Sequence, residues 1–222
     1  MDIIRIFVNE KGEYGNPHCV VIDNEKKLDD QSRQAFATKM GLSETVFVND
    51  NASGNVSIFS PIRQCPFAGS ALVGTAWLLN KLNKKPLDFL LSNDVKVPTW
   101  QEGGATYIRM AKSILPNWNY EQLSTPAEVE KLTLADTKNK EHMFVWAWID
   151  ESAGLVRART FAFDWGIPED PANGSGSMRL ADSVGKEITV IHGLGSIIHA
   201  RPVEDGLIEV GGLVSNSPHN TF

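Results

Sequence analysis

The chain has 222 residues, of which 42% are hydrophobic and 22% charged, with a net charge of -6. That mix belongs to a globular protein and excludes disordered, collagen-like and coiled-coil chains. No dense Lys/Arg cluster offers a nucleic-acid surface, and Lys84-Lys85 reads as a solvated helix end. Two cysteines, Cys19 and Cys65, cannot build a disulfide framework, so free thiols in a cytoplasmic setting are expected. No stretch approaches the ~20 apolar residues of a membrane span, and the N-terminus does not read as a signal peptide.

Ile3 to Val8 reads as a strand and Asn9-Glu10-Lys11-Gly12 as the turn after it. Gly15-Asn16-Pro17 punctuates the chain before a second apolar run, Cys19 to Ile22. Asp29 is placed to cap a helix running to Met40, with Gly41 where a C-terminal glycine belongs. Thr45 to Val48 and Val56 to Phe59 are strands around the turn Asn51-Ala52-Ser53-Gly54. After Pro61 a loop leads to Gly69–Leu79. That segment is small or apolar on every side, which predicts a buried helix.

A polar stretch, Pro98 to Gly104, is expected to separate two lobes, residues 1–100 and 101–222. The second opens with a strand from Ala105 to Lys112. Thr125-Pro126-Ala127-Glu128 carries the signature of a helix start: a Thr cap, Pro in the first turn, and Glu three residues on. Met143 to Ile149 and Leu155 to Phe161 are strands around Asp150–Gly154, and Trp146 and Trp148 are expected to meet different environments. A loop with Pro168 and Pro171 then leads to Gly174-Ser175-Gly176-Ser177 and a second helix. Glu187 to Ile191, Gly195 to Ala200 and Leu207 to Val210 close the chain as strands. Strand, turn, strand, proline-containing loop, glycine and helix thus occur twice. The class is α+β and sheet-dominated, in two related lobes.

Both central helices begin at a glycine followed by serine, Gly69-Ser70 and Gly174-Ser175. Free backbone N–H groups and the positive dipole end let such a start bind a carboxylate or phosphate. Gly and Ser also serve as ordinary N-caps. Glu44, between a helix stop and a strand, is a candidate acid and base, or a solvated connector. Asp170 and Asn16 are candidates to hold a polar group of a ligand, and both also suit simple turns before proline. His18, His142, His192, His199 and His219 form no metal-ligand spacing.

Gly15-Asn16-Pro17, Leu42-Ser43-Glu44-Thr45-Val46-Phe47-Val48, Pro66-Phe67-Ala68-Gly69 with Gly74-Thr75-Ala76, and Glu169-Asp170-Pro171 with Gly174-Ser175 together resemble the phenazine-biosynthesis isomerase family. That family shares the diaminopimelate epimerase fold. The resemblance implies two pseudo-symmetric lobes, each a curved sheet or open barrel around a central buried helix. It implies cofactor-free, metal-free movement of a proton within a small cyclic or unsaturated carboxylate or amino acid, and it allows a homodimer. The catalytic glutamate falls on Glu44, and the substrate-holding positions on Asp170 and Ser175, with backbone near Gly69 and Gly174. Ser70 stands where these isomerases carry His, and a serine does not shuttle protons near neutral pH. Ser70 and Ser175 also stand where epimerases of this fold carry thiols, which argues against two-thiol chemistry. The alternative is a non-catalytic relative that binds a small carboxylate.

Overall fold

A computed structural model describes residues 1–83 and 85–216. Lys84 and His219, both singled out above, lie outside the described residues. The first half gives β1 Asp2–Val8, β2 Tyr14–Ile22, α1 Asp30–Met40, β3 Thr45–Asp50, β4 Asn55–Phe59, β5 Gln64–Cys65, α2 Gly69–Leu82, β6 Phe89–Ser92 and β7 Val95–Glu102. The second gives β8 Ala105–Ala111, β9 Asn119–Gln122, α3 Pro126–Lys131, α4 Leu134–Thr137, β10 Met143–Asp150 and β11 Leu155–Ala162. It continues with β12 Ile167–Asp170, α5 Gly174–Val184, β13 Ile188–His192, β14 Ser196–Pro202 and β15 Leu207–Asn216.

The repeat read in the sequence extends to strand pairing. β2 runs parallel to β3, β3 antiparallel to β4, β4 antiparallel to β5 and parallel to β6, and β6 antiparallel to β7. β9, β10, β11, β12, β13 and β14 repeat those pairings in the same order. α2 and α5 occupy the same place in each unit. In the first unit the strands close: β1, β2, β3, β4, β6, β7, β8 and β15 are hydrogen-bonded neighbours, and β15 pairs back to β1. The second unit stays open at β9.

α2 fills the closed ring. Its residues from Gly69 to Ala76 are all buried, as the uniformly apolar composition predicts. The helix lies so close to β1 that a Cβ on Gly74 would stand 2.5 Å from Ile6 Cγ1 and 2.8 Å from Ile4 Cδ1. α5 is buried from Gly174 to Met178 and at Leu180 and Ala181, while its last turn reaches solvent. The predicted caps are present. Asp29 accepts from the Ser32 N–H, Gly41 takes a left-handed φ of 63°, and Thr125 and Glu128 form a reciprocal capping box.

Four expectations need correction. Pro98 to Gly104 is no linker: through Glu102 it is strand β7, bonded to β6 and β8, and the 100/101 division falls inside it. Val97 and Thr99 point inward while Lys96 and Pro98 face solvent, so the polarity belonged to one strand face. Gly103 and Gly104, both at positive φ, make the two-residue turn into β8. Gly15-Asn16-Pro17 lies within β2, not before it. β3 joins β2 only from Cys19, so Pro17 has the edge-like setting that its missing N–H requires. Trp146 and Trp148 meet edge to face with ring centroids 5.1 Å apart, because residues two apart on a strand share a face. β15 runs past Val210 to Asn216. The rings of Tyr107 and Phe7 fill the space beside Gly211 and Gly212, where a Cβ would come within 2.3 and 2.6 Å of them.

Candidate active site

The two glycine-led helices meet start to start. A Cβ on Gly174 would lie 3.4 Å from the Ser70 nitrogen, and one on Gly69 would lie 3.7 Å from the Ser175 nitrogen. Phe7, at a bulge in β1 with a φ of 66°, sets its ring beneath this junction, 3.3 Å from the Cβ position of Gly174. Neither glycine is the N-cap. Ala68 precedes α2 and supplies no side-chain cap, whereas Asn173 precedes α5 and accepts from the Gly176 N–H at 2.6 Å. The first-turn N–H groups of α2 therefore have no side-chain acceptor and remain open to an anion.

A cavity of about 160 Å³ opens at this junction. Glu44, Gly69, Ser70, Asp170, Gly174 and Ser175 all line it. Phe67, Trp118 and Trp165 add aromatic walls, with Trp118 and Trp165 edge to face at 4.8 Å. Arg63 and Cys65 also line it, the Arg63 guanidinium lying 5.9 Å from the Trp165 ring centre. The Trp118 indole N–H donates to Ser175 Oγ at 3.1 Å, which fixes that hydroxyl.

Asn16 does not line this cavity. It stands behind Asp170 and donates from Nδ2 to Asp170 Oδ1 at 2.8 Å, while Ser43 Oγ donates to Asn16 Oδ1. Asp170 is held further by the Ala172 N–H at 3.1 Å and by Asn173 Nδ2 at 2.9 Å. Burial is the largest influence on its carboxyl and the charge of Glu44 the next. Together they outweigh the hydrogen bonds from Asn173 and Ala172, and they push its pKa up to about 6. Cys65 is raised as well, first by burial and then by Glu44.

His18 is a site residue that the sequence reading left aside. It is fully buried, and its Nε2 lies 2.8 Å from Glu44 Oε2. The ring N–H does not point along that line, so the pair is in close contact without an aligned hydrogen bond. A signal for it was present: Asn16 and His18 are two apart on β2, share a face and are both buried there. Asn173 announced itself as an N-cap one residue before Gly174-Ser175. Nothing in the local pattern marked Trp118 or Trp165, which converge from distant elements.

The family model for phenazine biosynthesis-like proteins matches residues 5–97. A trans-2,3-dihydro-3-hydroxyanthranilate isomerase of Pseudomonas aeruginosa is 34% identical over 133 residues. That match spans 57% of this chain and 46% of the relative, about half its length. An isomerase of the same name from Pseudomonas fluorescens is 26% identical over 86% of this chain and 79% of its own. Among solved structures, a phenazine biosynthesis protein of the PhzF family from Enterococcus faecalis superposes with a TM-score of 0.79 at 20% identity, covering 97% of this chain and 95% of its own. A hydroxyproline epimerase from Agrobacterium vitis superposes at 0.56 with 12% identity, over 97% of this chain and 88% of its own. These superpositions speak for the fold. The expected α+β architecture with an epimerase-like plan is therefore present.

Proposed function

We propose that this chain, phenazine biosynthesis-like in its sequence over residues 5–97 and in its fold throughout, is an isomerase moving a proton within a small cyclic or unsaturated carboxylate. One observation carries the reading: a carboxylate, Glu44, shares a small cavity with two helix N-termini. The N–H groups of Ser70 and its neighbours suit the substrate carboxylate. Asp170 and Ser175 orient the molecule from the other side. Ionised Glu44 takes a proton from carbon, the C–H electron pair enters the conjugated system of the substrate, and Glu44 returns the proton at another carbon. The cavity is smaller than the 300–1,000 Å³ typical of drug-sized sites, which fits a compact substrate.

Cyclic and unsaturated carboxylates incubated with the protein in D₂O, followed by NMR, test this directly. Deuterium should enter the turned-over compound. Glu44→Gln keeps the shape and removes the base, so exchange should fall by ~10²–10⁴ while binding persists. Exchange within threefold of the parent would assign the chemistry elsewhere. Binding without exchange by the parent would favour a carboxylate-binding relative, a reading that Ser70 supports because its hydroxyl does not shuttle protons near neutral pH.

A further inference from the structure

We infer that His18 is the positioning residue of Glu44, a buried imidazolium that holds its carboxylate and balances the two acids of the cleft. The inference deepens the reading of Glu44 as the proton-moving group and takes its mechanistic meaning from it.

The geometry is specific. His18 sits on β2 with no exposed surface, and Glu44 Oε2 is 2.8 Å from its Nε2. Neither ring nitrogen makes a hydrogen bond among the described residues. Burying an imidazole with both nitrogens unsatisfied is costly, because each loses its hydrogen bonds to water without replacement. Among the described residues the ring has no other polar contact, so the Glu44 contact is the electrostatic return seen there. Asp170, buried at the cavity wall, feels both residues: the charge of Glu44 raises its carboxyl and the charge of His18 lowers it.

Two carboxylates against one small cavity with a largely apolar lining repel each other, and one of them tends to neutralise. A buried cation beside Glu44 opposes this and keeps Glu44 ionised as a base. Among the described residues that line the cavity, the cation is Arg63, which is exposed and lies against the Trp165 ring. Cys65 is a raised thiol and supplies no positive charge. His18 is therefore the inner counter-charge, and Ser70, which is uncharged, does not compete for that place.

Carbon-13 NMR of aspartate carboxyls reads the arrangement through Asp170, without any substrate. Glu44→Gln should move the Asp170 midpoint down from its value near 6. His18→Gln should move it up by about half a pH unit or more, since opposite charges within a few ångströms shift carboxyls by roughly 1–3 units. His18→Asn provides a second, smaller replacement if the glutamine variant does not fold. An Asp170 midpoint unchanged within about 0.2 unit in the folded His18 variant means that no positive charge stands there, and the inference falls. The D₂O exchange assay judges the isomerase reading separately. A shifted Asp170 with no exchanging substrate keeps His18 and discards the isomerase. Exchange with an unshifted Asp170 does the reverse.

Discussion

Asp170 should make the fold less stable as pH rises, and the size of the effect follows from its environment. Its carboxyl is raised from 3.8 to about 6, chiefly by burial. The folded protein thus holds this proton more tightly than the unfolded chain does. The stability linked to it is fully present below the unfolded value near 3.8, and is lost as pH rises through about 6. A shift of about two units at ~1.36 kcal/mol each amounts to about 3 kcal/mol. His192 works the other way: burial pushes its ring down to about 3, so its contribution is lost as pH falls. The diagnostic quantity is therefore the difference between the parent and Asp170→Asn, measured by urea denaturation at several pH values. That difference, parent minus variant, should fall by about 3 kcal/mol between pH below 4 and pH above 7. The absolute offset also contains a hydrogen-bond mismatch, because an amide nitrogen would replace one acceptor facing Asn16 and Asn173. A difference flat within ~0.5 kcal/mol across the range, the usual scatter of additive comparisons, would refute an elevated carboxyl at this position.

Cys65 should react slowly with iodoacetamide at pH 7, because burial and the charge of Glu44 both raise its thiol. Glu44→Gln should speed that reaction, and equal rates in the two proteins would remove Glu44 from the thiol's surroundings. Gly74→Ala should lower stability by about 1–3 kcal/mol through overpacking, since the new methyl would stand 2.5 Å from Ile6 Cγ1. An unchanged urea midpoint would mean that β1 yields there without cost. Thr125→Ala should lose about 1 kcal/mol as the capping box opens, read from the same denaturation curves.

What the sequence made legible was local or periodic. The α2 segment announced its burial because no face of it was polar. The capping residues Asp29, Gly41, Thr125 and Glu128 act within a few positions of themselves, so their chemistry is written in one window. Gly69 and Gly174 were legible as helix starts for the same reason. That the two starts meet is shown by the distances between them in the structure. The reading erred where a short polar motif has two uses. Gly15-Asn16-Pro17 has the composition of a turn and is strand, because tertiary pairing with β1 overrides the local preference. Closure of the first ring by β15 depends on pairing across more than two hundred positions, from Ile4 to Asn216, and no window contains it.

The duplication also bears on the proposal of a single base. Cys19 pairs with Thr45 between β2 and β3, and Asn119 pairs with Met143 between β9 and β10. The Cys19 N–H bonds the Glu44 carbonyl, just as the Asn119 N–H bonds the His142 carbonyl. Glu44 and His142 are thus equivalent positions, and so are His18 and Trp118. In the first unit the pair is an imidazole against a carboxylate at the cavity wall. In the second, Trp118 turns its indole N–H to Ser175 and forms the wall itself. His142 lies outside the cavity lining, 2.8 Å from Asp164 and stacked on Trp165 at 4.5 Å. The same backbone geometry therefore presents a titratable group on one side and an aromatic surface on the other. A symmetric scaffold with a titratable group on both sides suits removal of a proton from one face and delivery to the opposite face. At these equivalent positions the cleft has Glu44 in one unit and Trp118 in the other, and Asp170 is a further carboxyl in the lining. On the proposed reading, in which Glu44 both takes and returns the proton while Asp170 only orients the substrate, transfer runs along one face of the substrate from one carbon to another.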